Sequence, residues 1–203
     1  MMKDIKSIII ISLCLVVLFS SFLFLNVIRK MNRNQDSIAE FTKNAQIHEF
    51  FYQSTFDLNA SMTGLIAPDI MYIDSKKEQV FLSNIVKEKP LLIFRFKDSN
   101  CNPCNMDLLS QIQTELSDYS SFVRMFHFVN TERELMIFKN TYNIILPLYM
   151  IPPKPFDWII EEESVSYFFV LHSNMKISHI YKPHKDFPEQ NKLYLESVIR
   201  FLE

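Results

Sequence analysis

The chain has 203 residues, with 21 basic against 23 acidic side chains and a formal net charge of −2. That balance gives no electrostatic reason to expect nucleic acid or an acidic substrate as a partner. Three cysteines are too few for a secreted disulfide scaffold, and one glycine leaves left-handed turn positions to Asn and Asp, for instance Asp74, Asn143 and Asn174.

Residues 7–28 carry no charge and are almost wholly apolar. A bilayer core needs about 20 such residues, whereas a cleaved signal peptide has a shorter apolar stretch of about 7–15 and a small-residue site after it. No such site follows; the run ends in Asn26-Val27-Ile28-Arg29-Lys30, and Leu13 is too bulky to precede a lipidated Cys14. Residues 1–30 are therefore expected to form an uncleaved single-pass anchor that meets the lipid bilayer through 7–28. Lys3 and Lys6 on one flank nearly balance Arg29, Lys30 and Arg33 on the other, so basic residues alone do not orient it. Residues 31–66 are polar with scattered apolar positions and read as a juxtamembrane linker. Residues 67–203 have the size of one domain with its own core.

Within that domain, residues 70–73 and 79–82 read as a hairpin across the polar turn 74–77, and 83–86 as a short helical turn. Residues 91–96 are a buried strand interrupted by Arg95, and a helix follows to about residue 117. Residues 122–129 form the next strand. Thr131 caps a helix to about residue 142, with Glu134 at the capping-box position. The proline-rich stretch 147–155 is expected to be loop or sheet edge. Residues 167–172 and 176–181 form a second hairpin, and 191–202 a closing amphipathic helix. Strands alternating with helices imply a βαβ crossover and a mixed sheet covered on both faces.

Cys101 and Cys104 stand between the 91–96 strand and the helix after it. Two thiols two residues apart can close a disulfide across a tight turn. At a helix N-terminus, unpaired N–H groups and the helix dipole favour the thiolate of the first. That combination points to thiol–disulfide exchange. Zinc would need four ligands, and no second CxxC or His-x-x-x-His follows, so no metal site is assigned. His127, His172, His179 and His184 leave a copper-handling role as an alternative. A peroxidase reading fails because Asp98, not threonine, stands three residues before Cys101.

The stretch from about Ala67 to the C-terminus resembles the thioredoxin superfamily, and more narrowly the membrane-anchored redoxins similar to the cytochrome-maturation thioredoxins. The resemblance is carried by the strand–CxxC–helix block with Asn102-Pro103 between the cysteines, by Pro68 with Ser83-Asn84-Ile85, and by the 168–177 run Phe-Phe-Val-Leu-His-Ser-Asn-Met-Lys-Ile. It implies an α/β, thioredoxin-like mixed sheet flanked by helices and preceded by one transmembrane helix. It further implies that Cys101 attacks a partner disulfide and Cys104 resolves the mixed disulfide, without a cofactor. The implied partners are disulfide-bearing envelope proteins, with a membrane or periplasmic electron donor keeping the domain reduced. A tethered CxxC domain works on the oxidising side, which places the C-terminal domain on the extracytoplasmic, periplasmic face of the cell membrane.

Three positions modulate that picture. Pro103 matches the family. Arg95 stands six residues before Cys101, where an acidic or amide residue is usual, and either turns its charge toward the thiols or runs outward to pair with an acid. Ser166 stands where the family's cis-proline would face the CxxC pair. Asn100 replaces the usual aromatic before the first cysteine. These departures keep open a second class of function, a tethered, non-catalytic thioredoxin-like binding module. The run Glu161-Glu162-Glu163 reads as a solvated loop, or else as an acidic rim beside the site.

Overall fold

The computed structural model describes residues 2–74, 78–87, 89–97 and 102–203, and their side chains except those of 2–17, 36, 40, 44, 50 and 102–105. The chain divides into two compact units, Met1–Tyr52 and Gln53–Glu203.

The first unit is helical, formed by most of α1 (Met2–Met62). Its described side chains include Phe19, Phe22, Phe24 and Leu25, all exposed. Among the described residues, no helix is long and apolar enough to cross a membrane. The side chains of 2–17, which hold much of the 7–28 apolar run, lie outside that description.

The second unit begins before residue 67, because the last turns of α1 supply Leu58 and Met62 to its core. Then come β1 (Met71–Asp74), β2 (Gln79–Phe81), the short α2 (Leu82–Ile85), β3 (Leu91–Phe96), α3 (Asn102–Leu116) and β4 (Val123–Phe128). They are followed by α4 (Glu132–Thr141), β5 (Leu148–Ile151), β6 (Tyr167–Leu171), β7 (Ile177–Tyr181) and α5 (Pro188–Leu202). The seven strands form one sheet in the order β2-β1-β5-β4-β3-β6-β7. β3, β4 and β5 are parallel, while β1, β6 and β7 run antiparallel to their neighbours.

All six residues of β3 are buried, and alternation sends them to opposite faces. Leu91 and Ile93 join a core cluster with Phe126, Tyr167, Phe169 and Leu171, covered by Leu58 and Met62 of α1 and by Phe156, Trp158 and Ile160. On the other face Phe94 stacks on Phe168 at 4.6 Å, Phe168 meets Tyr194 of α5, and Phe96 meets Phe138 of α4. Each large apolar side chain so buried contributes about 1.5–3 kcal/mol relative to exposure.

The expected helices and hairpins form at the expected places, with three differences. The 147–155 stretch is not confined to loop or edge. β5 lies inside the sheet between β1 and β4, because Pro147 and Pro152 flank its four residues and leave their N–H groups free to pair. Pro147 itself contributes only a carbonyl, which accepts from Met125 N at 2.8 Å. Second, among the described residues the positive φ values fall at Asn143, as expected, and at Met175, His179 and Gly64, not at Asp74 or Asn174 themselves. Asp74 instead uses its carboxylate to accept from Glu78 N, and Asn174 its side-chain oxygen to accept from Lys176 N. Third, Thr131 caps α4 by accepting from Glu134 N at 3.2 Å, but the Glu134 carboxylate reaches Asn130 N, one residue further back than a capping box requires.

Candidate active site at the end of β3

Strand β3 delivers the chain to the cysteine segment. Cys101 lies outside the described residues, and Pro103 and Cys104 are described only as members of the first turn of α3. The other two sequence-derived positions, Arg95 and Ser166, are both described, and both are buried.

Arg95 follows Leu91 and Ile93 onto the face of the large apolar cluster, opposite Tyr167 and Phe126 on the neighbouring strands. A guanidinium there must be paired. Glu161 supplies the partner: Arg95 Nε donates to Glu161 Oε1 at 3.1 Å, with both side chains 3% exposed. Arg95 Nη1 donates to the Phe96 carbonyl at 2.9 Å. The arginine therefore pairs with an acid, but inside the domain and not by running out to solvent.

Glu161 is accordingly not part of a solvated loop. It sits in a 3-10 turn, Ile159–Glu162, between the buried Ile160 and the exposed Glu162, and the turn aims its carboxylate inward. Besides Arg95, it accepts from the Tyr167 hydroxyl at 2.5 Å and lies 3.2 Å from Lys97 Nζ. Lys97, two residues beyond Arg95 on the same side, also donates to the carbonyls of Ile160, Glu161 and Glu163 at 2.8–3.2 Å. Those carbonyls lie in the 3-10 turn and just after it, so one ammonium ties the turn to the end of β3. Burial lowers the Lys97 pKa, and the Glu161 carboxylate works against that shift. Burial, and then the charge of Glu161, holds the Tyr167 phenol well above its ordinary value.

Ser166 closes the arrangement. Its hydroxyl accepts from Lys97 N at 3.0 Å and lies 3.4 Å from Lys97 O, so it bonds the segment before β6 to the residue after β3. Among the described residues no peptide bond is cis. On the opposite face His127 contacts Phe96 and Phe138, and its Nδ1 lies 3.4 Å from the Phe96 carbonyl. Burial, helped by the charge of Arg95, lowers its pKa to about 4, so the ring is neutral at pH 7. Tyr72, stacked on Phe126, keeps a buried hydroxyl with no hydrogen-bond partner among the described residues. A cleft of about 230 Å³ opens at this end of the sheet, lined by Arg95, Lys97, His127, Lys154 and Glu161 among others.

Lys97, Tyr167 and the inward role of Glu161 were not found from sequence, and His127 entered there only as a candidate copper ligand. Alternation alone puts Arg95 and Lys97 on one side of a buried strand, which demands a buried anion. It does not say which of the 23 acidic residues supplies it. Among the described residues no group of three or more His, Cys, Asp or Glu side chains could hold a metal ion. His172 and His179 are bridged by Ser178, whose hydroxyl lies 2.8 and 2.7 Å from their ring nitrogens, and both rings contact Phe201.

No protein-family model matches the chain, and no curated protein does. Solved structures do. The chain is similar to the thioredoxin domain of a thiol-disulfide oxidoreductase from Bacteroides vulgatus, at 16% identity and a TM-score of 0.50, over 70% of this chain and 98% of that one. It is also similar to a protein-disulfide-isomerase candidate from Bacteroides thetaiotaomicron, at 17% identity and a TM-score of 0.51, over 69% of this chain and 89% of that one. The second unit of this chain has the thioredoxin fold.

Proposed function

We propose that the chain is a membrane-tethered thiol–disulfide oxidoreductase that exchanges disulfides with envelope proteins through Cys101 and Cys104. The observation that carries this reading is positional. In a thioredoxin fold the two cysteines fall in sequence where the buried strand β3 runs into α3, and the first precedes the helix that begins at Asn102. Unpaired N–H groups at such a helix start favour a thiolate over a thiol.

In the proposed reaction the Cys101 thiolate attacks a partner disulfide, forms a mixed disulfide and expels one partner thiolate. The Cys104 thiolate then attacks Cys101 Sγ, closing the internal disulfide and releasing the second partner thiolate. Two electrons pass to the partner, and the reverse sequence oxidises a partner dithiol. The apolar run 7–28 supports anchoring in the bilayer, with the domain on the extracytoplasmic side. Resistance to alkaline extraction, together with protease access from outside the cell membrane, checks that part.

The decisive experiment is trapping. Cys104→Ser is expected to accumulate covalent adducts with envelope proteins that dithiothreitol releases, while Cys101→Ser accumulates none. A Cys104→Ser protein that traps nothing, and whose parent shows no reversible disulfide, would instead make the domain a tethered binding module.

A further inference from the structure

Beyond Arg29 and Lys30, α1 continues to Met62 with neither proline nor glycine to stop it. Between Arg29 and Gln46 its apolar residues are Met31, Ile38, Ala39, Phe41 and Ala45. All but Ala39 fall on one stripe of alternating three- and four-residue steps, which also runs back to Val27 and Phe24 and on to Tyr52. Asn34 and His48 are its polar members, and none of the charged residues from Arg29 to Asp57 stands on it. Such a spacing repeats every seven residues and draws one narrow apolar seam along a helix. Met31, Ile38, Phe41 and Tyr52 are 61–77% exposed, so no described residue of the same chain covers them. Most helical stability comes from packing an apolar face and little from propensity, so a seam left in water calls for a partner.

We propose that this stripe is the seam of a parallel, two-stranded coiled coil between two copies of the chain. The proposal rests on the membrane-tether part of the reading above and on none of its thiol chemistry. Two arguments commit the seam to a second copy. Chains anchored through 7–28 leave the bilayer in the same direction and at the same height, so Ile38 of one copy lies level with Ile38 of the other, and Phe41 with Phe41. A patch that meets itself is what a two-fold pair requires. The flanking positions also suit a parallel pair: Lys30 of one copy lies opposite Gln35 of the other, and Ser37 opposite Thr42, so no like charges meet there. Asn34 supplies the interior polar residue that fixes register at some cost in stability. From Arg29 to Tyr52 the paired helices extend about 35 Å at 1.5 Å per residue.

The test is disulfide cross-linking of the full-length chain in membranes, read by position. Cys14→Ser, Cys101→Ser and Cys104→Ser remove the native thiols, and single cysteines are then placed on the stripe (Ile38→Cys, Phe41→Cys, Ala45→Cys) or off it (Asn32→Cys, Ala39→Cys, Lys43→Cys). Each chain carries one thiol, so a disulfide of twice the chain's mass requires the same position of two copies to meet. Under mild oxidation the stripe variants are expected to dimerise about fivefold or more above the others. Ile38→Asp with Phe41→Asp, which sets like charges face to face in the seam, is expected to bring the Ala45→Cys dimer down to the off-stripe level. Equal cross-linking on every face, none on any, or a dimer that ignores the two aspartates overturns the proposal. Stripe adducts of another mass overturn it too, since a different protein then fills the seam. Alkaline extraction of the same membranes reads the tether separately. A chain that washes off fails the tether and with it the proposed alignment, whereas one that stays but shows no stripe pattern fails the pairing alone.

Discussion

Two buried polar clusters in the thioredoxin-fold unit solve the same problem differently. At the end of β3, Arg95 and Glu161 bury opposite charges at 3.1 Å, and Lys97 joins the same carboxylate at 3.2 Å. At the start of α5, Asn191 buries only an amide, and each of its polar atoms is bonded. Its oxygen accepts from the Tyr181 hydroxyl at 2.9 Å and His184 N at 3.1 Å, and its NH2 donates to His184 O at 2.8 Å and Gln111 Oε1 at 3.5 Å. The neutral cluster fastens the 182–187 loop to α5 and α3. A charged cluster costs more desolvation than an amide for the same fastening. The charged cluster also carries a stricter pairing requirement, because a buried ion that loses its partner costs more than an amide that loses a hydrogen bond.

Several experiments test that contrast. The largest effect is expected from Arg95→Met, which removes the guanidinium partner of the buried Glu161 carboxylate and leaves it Lys97 and the Tyr167 hydroxyl: about 3–5 kcal/mol lost in urea unfolding. Adding Glu161→Gln should restore much of it. If the double variant is no more stable than the single one, the penalty lies in packing and not in the weakened pairing of the carboxylate.

Next in size is the pH response of His127. Its folded-state pKa of about 4 lies below the ordinary 6.5. Between those values the unfolded chain takes up a proton that the folded one refuses, so stability falls as the pH drops through that window. The loss approaches about 3 kcal/mol by pH 4. Unfolding curves from pH 7 to pH 4 should show it, and His127→Phe should flatten that part of the profile.

On the neutral side, Asn191→Ala is expected to cost about 2 kcal/mol, from the Tyr181 hydroxyl and the His184 backbone groups left without partners. A cost as large as that of Arg95→Met would mean that the contrast is false. Smallest is Ser166→Ala, at about 1 kcal/mol for the lost acceptor of Lys97 N, measured by the same unfolding.

Much of this architecture is legible in the residues themselves. The alternation of β-branched and aromatic runs with amphipathic helices places the elements of the fold, since period-2 and period-3.6 burial are local properties of the chain. The amphipathic face of α5 is one case: Leu195, Val198, Ile199 and Leu202 are buried as their spacing requires, while Phe201 is half exposed. The CxxC motif is equally local, because the chemistry of two thiols depends on residues within one turn. Less legible were the places where distant segments compete with local rules. Pro147 and Pro152 argue against an interior strand, yet four residues between them suffice for β5 because β1 and β4 present paired edges on both sides.

The sequence by itself determined an apolar N-terminal run ahead of a domain-sized stretch, a mixed α/β sheet and a thiol pair between a strand and a helix. Each follows from composition, periodicity or short-range spacing. Only the tertiary structure decided what Arg95 faces, that Glu161 turns inward, and that Ser166 and Lys97 bind the two sides of the strand end together. Those contacts join residues 66 to 69 positions apart. Pairing of buried charges over such separations depends on how the sheet brings β3 and β6 side by side, and no local pattern encodes it.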